Sequence, residues 1–263
     1  LKGMAPDKGL FMPDAIPAIS HADLVAWQDL PYAELAFQML RRYAAGVFDD
    51  DRLHEMCVDA YNYDVPIEHV TANRHVLRLD QGPTASFKDF AARMMGRLLG
   101  LLVQPGEAPL VILTATSGDT GSAVAHAFAG VPGIEVMVLF PVDEVSNRQR
   151  KQMTTIGGNV RTIGVDGKFD DCQAMVKEAF SDPELAHIRL SSANSINIGR
   201  LLPQSVYYVY AYLQKADVEA GEKAVFSVPS GNFGDLCGGL LAFKAGLPAR
   251  RFVVWRGGVL ARF

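Results

Sequence analysis

The stretch PLVILTATSGDTGSA, residues 109–123, decides the fold of this chain because it passes from a strand to a helix across one glycine-rich turn. Residues 110–113 are a continuous apolar run, which is typical of a strand buried on both faces. Gly118 and Gly121 mark a tight turn, and the Ala-rich residues after them predict a helix. A buried strand followed directly by a helix is the unit from which parallel sheets are built.

The same alternation recurs along the chain, after predicted helices at residues 31–43 and 51–61. Further strands are predicted at HVLRLD (75–80), IEVMVLF (134–140), NVRTIGV (159–165), HIRLS (187–191), EKAVFSV (222–228) and RFVVW (251–255). Helices are predicted from residue 88, from about 118, from about 145, through Cys172, over 198–213 and from about 234. This order predicts an α/β fold with ligands bound beyond the carboxyl ends of the strands.

The composition excludes several classes of protein. The 263 residues are 49% hydrophobic and carry a formal net charge of −4, which argues against nucleic acid or an anionic membrane surface as partner. No apolar run reaches the length of about 18 residues that a membrane span needs. Cys57, Cys172 and Cys237 form no CxxC pair, so we expect no disulfides and a reducing, cytoplasmic location. The six histidines form no HExxH motif, and no metal site is expected.

A lysine occupies an unusual place in GPTASFKDF, residues 82–90. Ser86 is a good N-cap, and Asp89 three residues later completes a capping-box pattern. Lys88 then lies near the positive end of a helix dipole, where cations are disfavoured. The position suits a lysine that must be neutral for part of the time, because the helix N-terminus disfavours the charged form. We therefore expect the pKa of Lys88 to be lowered.

Two glycine-rich turns each open a helix, TATSGDTGSA (114–123) and PSGNFGD (229–235). Such turns bind anions, because several backbone N–H groups converge there and the helix dipole adds to them. Together they indicate a phosphate and a carboxylate, or two phosphates. Neither turn carries a nucleotide motif of the GxxxxGK[ST] or GxGxxG type. A further stretch, SSANSINIGRLLPQ (191–204), holds Arg200 either on a solvated face or against a substrate oxyanion.

Taken together, GPTASFKDF, TATSGDTGSAVAHAF, SANSINIGRLLPQ and VPSGNFGDLCGGLLA resemble the threonine synthase family of pyridoxal-phosphate enzymes, and GMAPDKGLFMP resembles its N-terminal region. The resemblance implies PLP fold type II, which is tryptophan synthase β-like, with parallel sheets flanked by helices and two domains with the cofactor between them. It divides the chain into a mainly helical region (1–70), a smaller α/β domain (71–200) and an incomplete part of the large α/β domain (201–263).

The resemblance also implies roles for individual residues. Lys88 matches the family lysine that forms the Schiff base with pyridoxal 5'-phosphate, and it is the expected catalytic residue. Further cofactor contacts are implied for Ser117, Asp119, Gly231, Asn232, Phe233, Gly234 and Asp235. Substrate contacts are implied for Thr116, Thr120, Ser195, Asn197 and Arg200.

The implied reaction converts O-phospho-L-homoserine and water to L-threonine and phosphate, which makes the protein a carbon–oxygen lyase acting on phosphate. The expected partner is this small-molecule substrate, with no nucleic acid or membrane, and the expected assembly is a monomer or homodimer. Two alternatives remain. One is a serine/threonine dehydratase-like lyase of the same fold, which releases a keto acid and ammonia. The other is a truncated, non-catalytic homologue.

The end of the chain departs from the family pattern. In VVWRGGVLARF, residues 253–263, the family would have ATN followed by ND around Trp255 to Gly258, and it continues beyond the position of Phe263. The resemblance therefore predicts a fragment, whose missing part includes the Ser or Thr expected to meet the pyridine nitrogen of the cofactor.

Overall fold

The computed structural model describes residues 9–195, 197–256 and 259–262. The helices are α1 (His21–Ala26), α2 (Tyr32–Ala44), α3 (Asp50–Ala60), α4 (Lys88–Leu102), α5 (Asp119–Phe128), α6 (Asn147–Thr154), α7 (Phe169–Ser181), α8 (Ile198–Leu201), α9 (Gln204–Lys215) and α10 (Gly234–Ala245). The strands are β1 (Ile67–Thr71), β2 (Arg74–Leu77), β3 (Leu110–Ala115), β4 (Ile134–Pro141), β5 (Val160–Val165), β6 (Arg189–Ser191), β7 (Ala224–Pro229), β8 (Ala249–Arg256) and β9 (Val259–Arg262). The described residues form two compact units: the first comprises those from 9 to 11 together with those of 79–200, and the second comprises those of 12–78 together with those beyond 200.

The first unit is built on a parallel sheet with the strand order β5-β4-β3-β6. One face of this sheet packs on α4 and α5, where Ile112 and Val138 lie in one core with Met95 and Phe128. The other face packs on α7 through a second cluster that contains Leu113, Leu139, Cys172 and Val176. Both faces of the sheet are therefore covered, and the predicted parallel α/β arrangement is confirmed.

The second unit combines helices with a smaller mixed sheet. Strands β7 and β8 are parallel, and β9 is antiparallel to β8. Rings of Tyr208, Phe226 and Phe252 pack together with centroids 5.2–5.9 Å apart, which joins α9 to the sheet. Near the chain start, the Tyr32 ring meets Tyr61 at 5.0 Å and Tyr210 at 5.2 Å, which ties α2 and α3 to α9. The helices of residues 12–78 thus share a core with residues beyond 200.

Most of the predicted elements are present, with three differences. The predicted helix over 198–213 is broken between α8 and α9, because Pro203 has no N–H to continue the helical hydrogen bonds. HVLRLD does form a strand, but β2 pairs antiparallel with β1 in an exposed two-stranded sheet. Helix α1 and strands β1 and β9 were not predicted. Among the described residues, no helix is long and apolar enough to cross a membrane.

Close packing of α4 on α5 depends on Gly96, and substitution by alanine tests this. A Cβ at Gly96 would lie 2.7 Å from the carbonyl oxygen of Ala127, a backbone atom that cannot move aside. Alanine is favoured over glycine in a helix by about 1 kcal/mol. We nevertheless expect Gly96→Ala to lower the free energy of unfolding by about 1–3 kcal/mol, measured by denaturant unfolding, because the clash outweighs this gain.

Gly100→Ala, one turn further along α4, is the comparison variant. Its Cβ would meet a side-chain methyl of Val131 at 2.8 Å, and this side chain can adjust. A smaller loss is therefore expected. A stabilised Gly96→Ala protein would show that α4 and α5 do not approach as closely as described.

Candidate active site

The residues before Lys88 form a tight loop that is held by Asp89. The Asp89 side chain, only 1% exposed, accepts hydrogen bonds from the Thr84 backbone N–H at 2.8 Å and from the Thr84 hydroxyl at 2.7 Å. The predicted capping box of Ser86 and Asp89 is therefore wrong. Phe87 takes the N-cap position, so Asp89 is the second residue of the helix instead of the third, which a capping box requires. The Ser86 hydroxyl still accepts from the Lys88 N–H, at 3.3 Å.

Two backbone features allow this loop to close. Ala85 has φ of 53°, in the left-handed region that costs a non-glycine residue about 1–2 kcal/mol. At Gly82, a Cβ would lie 2.5 Å from the Asp89 carboxylate oxygen, so a side chain there would displace Asp89. The two Thr84 hydrogen bonds hold Ala85 in its unfavourable conformation, which is typical of functional loops.

The Lys88 ammonium lies between an aromatic ring and a carboxylate. Its Nζ is 4.3 Å from the Phe87 ring centroid and 3.9 Å from Oδ2 of Asp119, and its side chain is 23% exposed. Asp119 favours the charged lysine, which opposes the effect of the helix N-terminus. The lowered pKa expected for Lys88 stays a prediction.

Asp119 belongs to the turn between β3 and α5, which is organised by Thr116. The buried Thr116 hydroxyl oxygen accepts hydrogen bonds from the N–H groups of Gly118, at 2.9 Å, and Gly121, at 2.8 Å. Gly118 has φ of 142°, which favours glycine. Ser117 and Asp119 are exposed and Thr120 is half-buried. The turn therefore presents polar side chains beyond the carboxyl end of β3, at the predicted edge of the sheet.

Helix α6 contacts both loops through glutamines that the sequence analysis did not assign. Gln149 Nε2 donates to Oδ1 of Asp119 at 2.7 Å, while its Oε1 accepts from Ser146 in a capping box. Gln152 Nε2 lies 3.4 Å from the carbonyl oxygen of Thr84. The capping box could have been read from SNRQ, but the contact with Asp119 could not, since it depends on how α6 packs.

In the segment 192–200 of the first unit, the described polar side chains bond mainly to backbone atoms of the same segment. Asn197 is 6% exposed, donates to the Ser192 carbonyl at 3.3 Å and accepts from the Gly199 N–H at 2.9 Å. The Arg200 side chain, 2% exposed, donates from Nη1 to the Ala193 carbonyl at 2.8 Å. Ser195 is exposed. The expected contacts of Ser195, Asn197 and Arg200 with a substrate stay predictions.

Asn194, which was not assigned, is also placed in this segment. Its Nδ2 donates to the Ala115 carbonyl at 3.3 Å, at the end of β3. Its Oδ1 is buried and has no hydrogen-bond partner within the described part of the chain. The segment is thereby attached next to the turn that carries Thr116 and Asp119.

The second unit contributes the loop between β7 and α10. Gly231, Asn232 and Phe233 are exposed, and Gly234 and Asp235 begin α10 half-buried. Ser230, just before them, is 4% exposed, and its hydroxyl has no hydrogen-bond partner among the described residues. The Ser230 hydroxyl and the first N–H groups of α10 together form a set of hydrogen-bond donors that suits an anion.

Comparison with known proteins identifies the family. A family model described as "Pyridoxal-phosphate dependent enzyme" matches residues 65–257. The chain belongs to this family. A second model, "Threonine synthase N terminus", matches residues 1–61, so the two matches together extend over nearly all of this pyridoxal-phosphate enzyme chain.

Individual relatives agree with these matches. Threonine synthase of Haemophilus influenzae is 44% identical over 253 residues, which are 96% of this chain and 58% of the relative. The crystal structure of threonine synthase from Escherichia coli is similar with a TM-score of 0.87 and 40% identity, over 96% of this chain and 59% of that one. A pyridoxal-phosphate-bound threonine synthase from Brucella melitensis has a TM-score of 0.88 and 36% identity, over 96% and 55%. The resemblance to threonine synthases is confirmed, and the chain spans little more than half the length of these relatives.

The residues described above fit pyridoxal phosphate. Lys88 offers a primary amine on a partly exposed side chain, and the aldehyde of pyridoxal phosphate needs such an amine to form a Schiff base. The Ser230 hydroxyl and the start of α10 offer hydrogen-bond donors of the kind that a phosphate requires. Among the residues that the structure describes, no group of three or more His, Cys, Asp or Glu side chains is arranged to hold a metal ion.

Replacing Thr84 by valine tests the bond that closes the Lys88 loop. The substitution keeps the shape of the side chain but removes the hydroxyl that donates to Asp89. A hydrogen bond to a buried charge contributes about 1.5–3 kcal/mol, so a loss of that order in the free energy of unfolding is expected for Thr84→Val in a denaturant titration.

Thr114→Val is the matched control. Thr114 is 0% exposed and lies in β3, and its hydroxyl has no hydrogen-bond partner in the described residues. Valine at this strand position should be neutral or stabilising. If both variants lost the same free energy of unfolding, the hydrogen bond from Thr84 to Asp89 would not contribute to stability beyond an ordinary Thr-to-Val change.

Proposed function

We propose that this protein is a threonine synthase, which converts O-phospho-L-homoserine and water to L-threonine and phosphate with pyridoxal 5'-phosphate as cofactor. The observation that carries the proposal is the position of Lys88, whose ammonium lies 3.9 Å from Asp119 of the SGDTG turn. The names of the relatives support it, and the dehydratase-like lyase and the non-catalytic homologue are not favoured by them.

In this proposal Lys88 holds the cofactor and moves protons. Bound pyridoxal phosphate would supply an electron sink for charge that develops at the substrate Cα. The Lys88 amine would act as a base that takes a proton from the substrate Cα and later one from Cβ. Asp119, held by Gln149, favours the protonated form of this amine between transfers.

The remaining predicted residues receive roles that follow from their chemistry. Ser117 and Asp119 would contact the cofactor, and Gly231 to Asp235 would bind its phosphate through backbone N–H groups. Loss of the γ-phosphate requires donors that stabilise the charge on the leaving group. We assign this role to a set of polar side chains in the first unit: Thr116, Thr120, Ser195, Asn197 and Arg200.

We further propose that the enzyme acts in the cytoplasm as a monomer or homodimer. The absence of a membrane-crossing helix in the described residues is compatible with this location. Sedimentation of the purified protein would give the assembly.

The function is tested by following products of the purified protein. With pyridoxal phosphate and O-phospho-L-homoserine, equal amounts of inorganic phosphate and L-threonine are expected, and no keto acid. Formation of a keto acid and ammonia would instead indicate the dehydratase-like lyase. Binding of pyridoxal phosphate without any turnover would favour the non-catalytic homologue.

Lys88→Ala should abolish both the visible absorbance of lysine-bound cofactor and the formation of threonine. Loss of a general base alone lowers the rate by about 10²–10⁴-fold, and loss of the covalent bond to the cofactor adds to this. Lys151→Ala, an exposed lysine on α6, is the control and should retain both. A Lys88→Ala protein with unchanged turnover would contradict the proposed role.

A further inference from the structure

Two neighbouring tyrosines of α9 hold the first turn of α10. The hydroxyls of Tyr207 and Tyr208 each lie 2.6 Å from the same carboxylate oxygen, Oδ1 of Asp235. Asp235 is the second residue of α10, and this helix directly follows the loop of residues 230–233. Because the acceptor is a carboxylate, these are charge-assisted hydrogen bonds and belong to the stronger class.

Both tyrosines are buried and remain hydrogen-bond donors. Tyr207 is 1% exposed and Tyr208 is 4% exposed. Burial and the neighbouring Asp235 carboxylate raise the pKa of both phenols well above the usual value. Each phenol therefore keeps its proton through the neutral range. The Tyr207 hydroxyl also lies 3.1 Å from Oε1 of Gln204, but the shorter contact with the charged carboxylate directs its proton to Asp235.

A pair of glycines allows α10 to approach α9 closely enough for this contact. Gly238 and Gly239 lie three and four residues after Asp235, on the same face of α10. A Cβ at Gly238 would lie 2.7 Å from Cβ of Gln204, and a Cβ at Gly239 would lie 2.9 Å from the Tyr208 ring. The face of α10 that carries Asp235 is therefore pressed against α9.

We propose that Tyr207 and Tyr208 are positioning residues for the cofactor phosphate. By holding Asp235 they fix the start of α10, and with it the backbone N–H groups of residues 231–235 that bind the phosphate. Asp235 acts through its two tyrosine contacts and does not face the phosphate. The inference rests on the proposed cofactor, and it assigns a role to residues that do not themselves touch it.

The test compares two ligands that differ only in the phosphate. Dissociation constants for pyridoxal 5'-phosphate and for pyridoxal are measured from absorbance with the purified protein and its Tyr207→Phe and Tyr208→Phe variants. Loss of one such hydrogen bond should weaken pyridoxal phosphate about tenfold. Pyridoxal, which lacks the phosphate, should bind each variant as it binds the wild type.

Tyr212→Phe is the matched control, because it lies on α9 and is 1% exposed, and its hydroxyl has no hydrogen-bond partner among the described residues. It should bind both ligands like the wild type. Unchanged binding of pyridoxal phosphate by Tyr207→Phe and Tyr208→Phe would overturn the proposal. So would an equal loss for both ligands, which indicates a general loss of structure.

Asp235→Asn separates the two possible roles of the carboxylate. A neutral acceptor holds the tyrosines less strongly, so weaker binding of pyridoxal phosphate and unchanged binding of pyridoxal are expected. If Asp235 faced the phosphate, removal of its charge would relieve repulsion and tighten binding, which would refute the positioning role. Wild-type protein that binds neither ligand would refute the proposed cofactor itself, a result distinct from any difference among variants.

Discussion

The two hydrogen bonds from Thr84 to Asp89 are the contact on which the position of Lys88 depends. They join residues five apart across a loop that contains Ala85 in a left-handed conformation, so the loop would relax to other shapes without them. Lys88 lies between these two residues, at the start of a helix that packs on the parallel sheet of the first unit. The placement of one amine beside Asp119 is thus fixed by a buried carboxylate that does no chemistry itself.

In the second unit, too, hydrogen bonds from side chains hold a carboxylate in the first turn of a helix. Asp235, like Asp89, is an acidic residue in the first turn of a helix that follows a predicted functional loop. A carboxylate there suits the helix dipole, and its oxygens also hold side chains from elsewhere in the unit. Thr84 is the donor in the first unit, and Tyr207 and Tyr208 are the donors in the second. In both units, hydrogen bonds between side chains and this carboxylate fix the start of the helix that follows the loop.

The sequence predicts those parts of the fold that depend on local patterns. Continuous apolar runs such as 110–113 identify the buried strands, and the glycine turns after them locate the loops. The capping box predicted for Ser86 and Asp89 is wrong because the Asp89 carboxylate bonds to Thr84 instead. The contact of Gln149 with Asp119 spans 30 residues, and that of Tyr208 with Asp235 spans 27. Such contacts depend on how helices pack, which no local pattern encodes.

Chemical trapping of the cofactor tests most directly whether Lys88 is the residue that binds it. Borohydride reduces the bond between pyridoxal phosphate and a lysine to a stable secondary amine, and peptide mass mapping then identifies the modified residue. The modification is expected on Lys88, in the peptide that contains ASFKDF. Modification of another lysine, such as Lys151 or Lys168, or of none, would contradict the assignment on which the proposed chemistry rests.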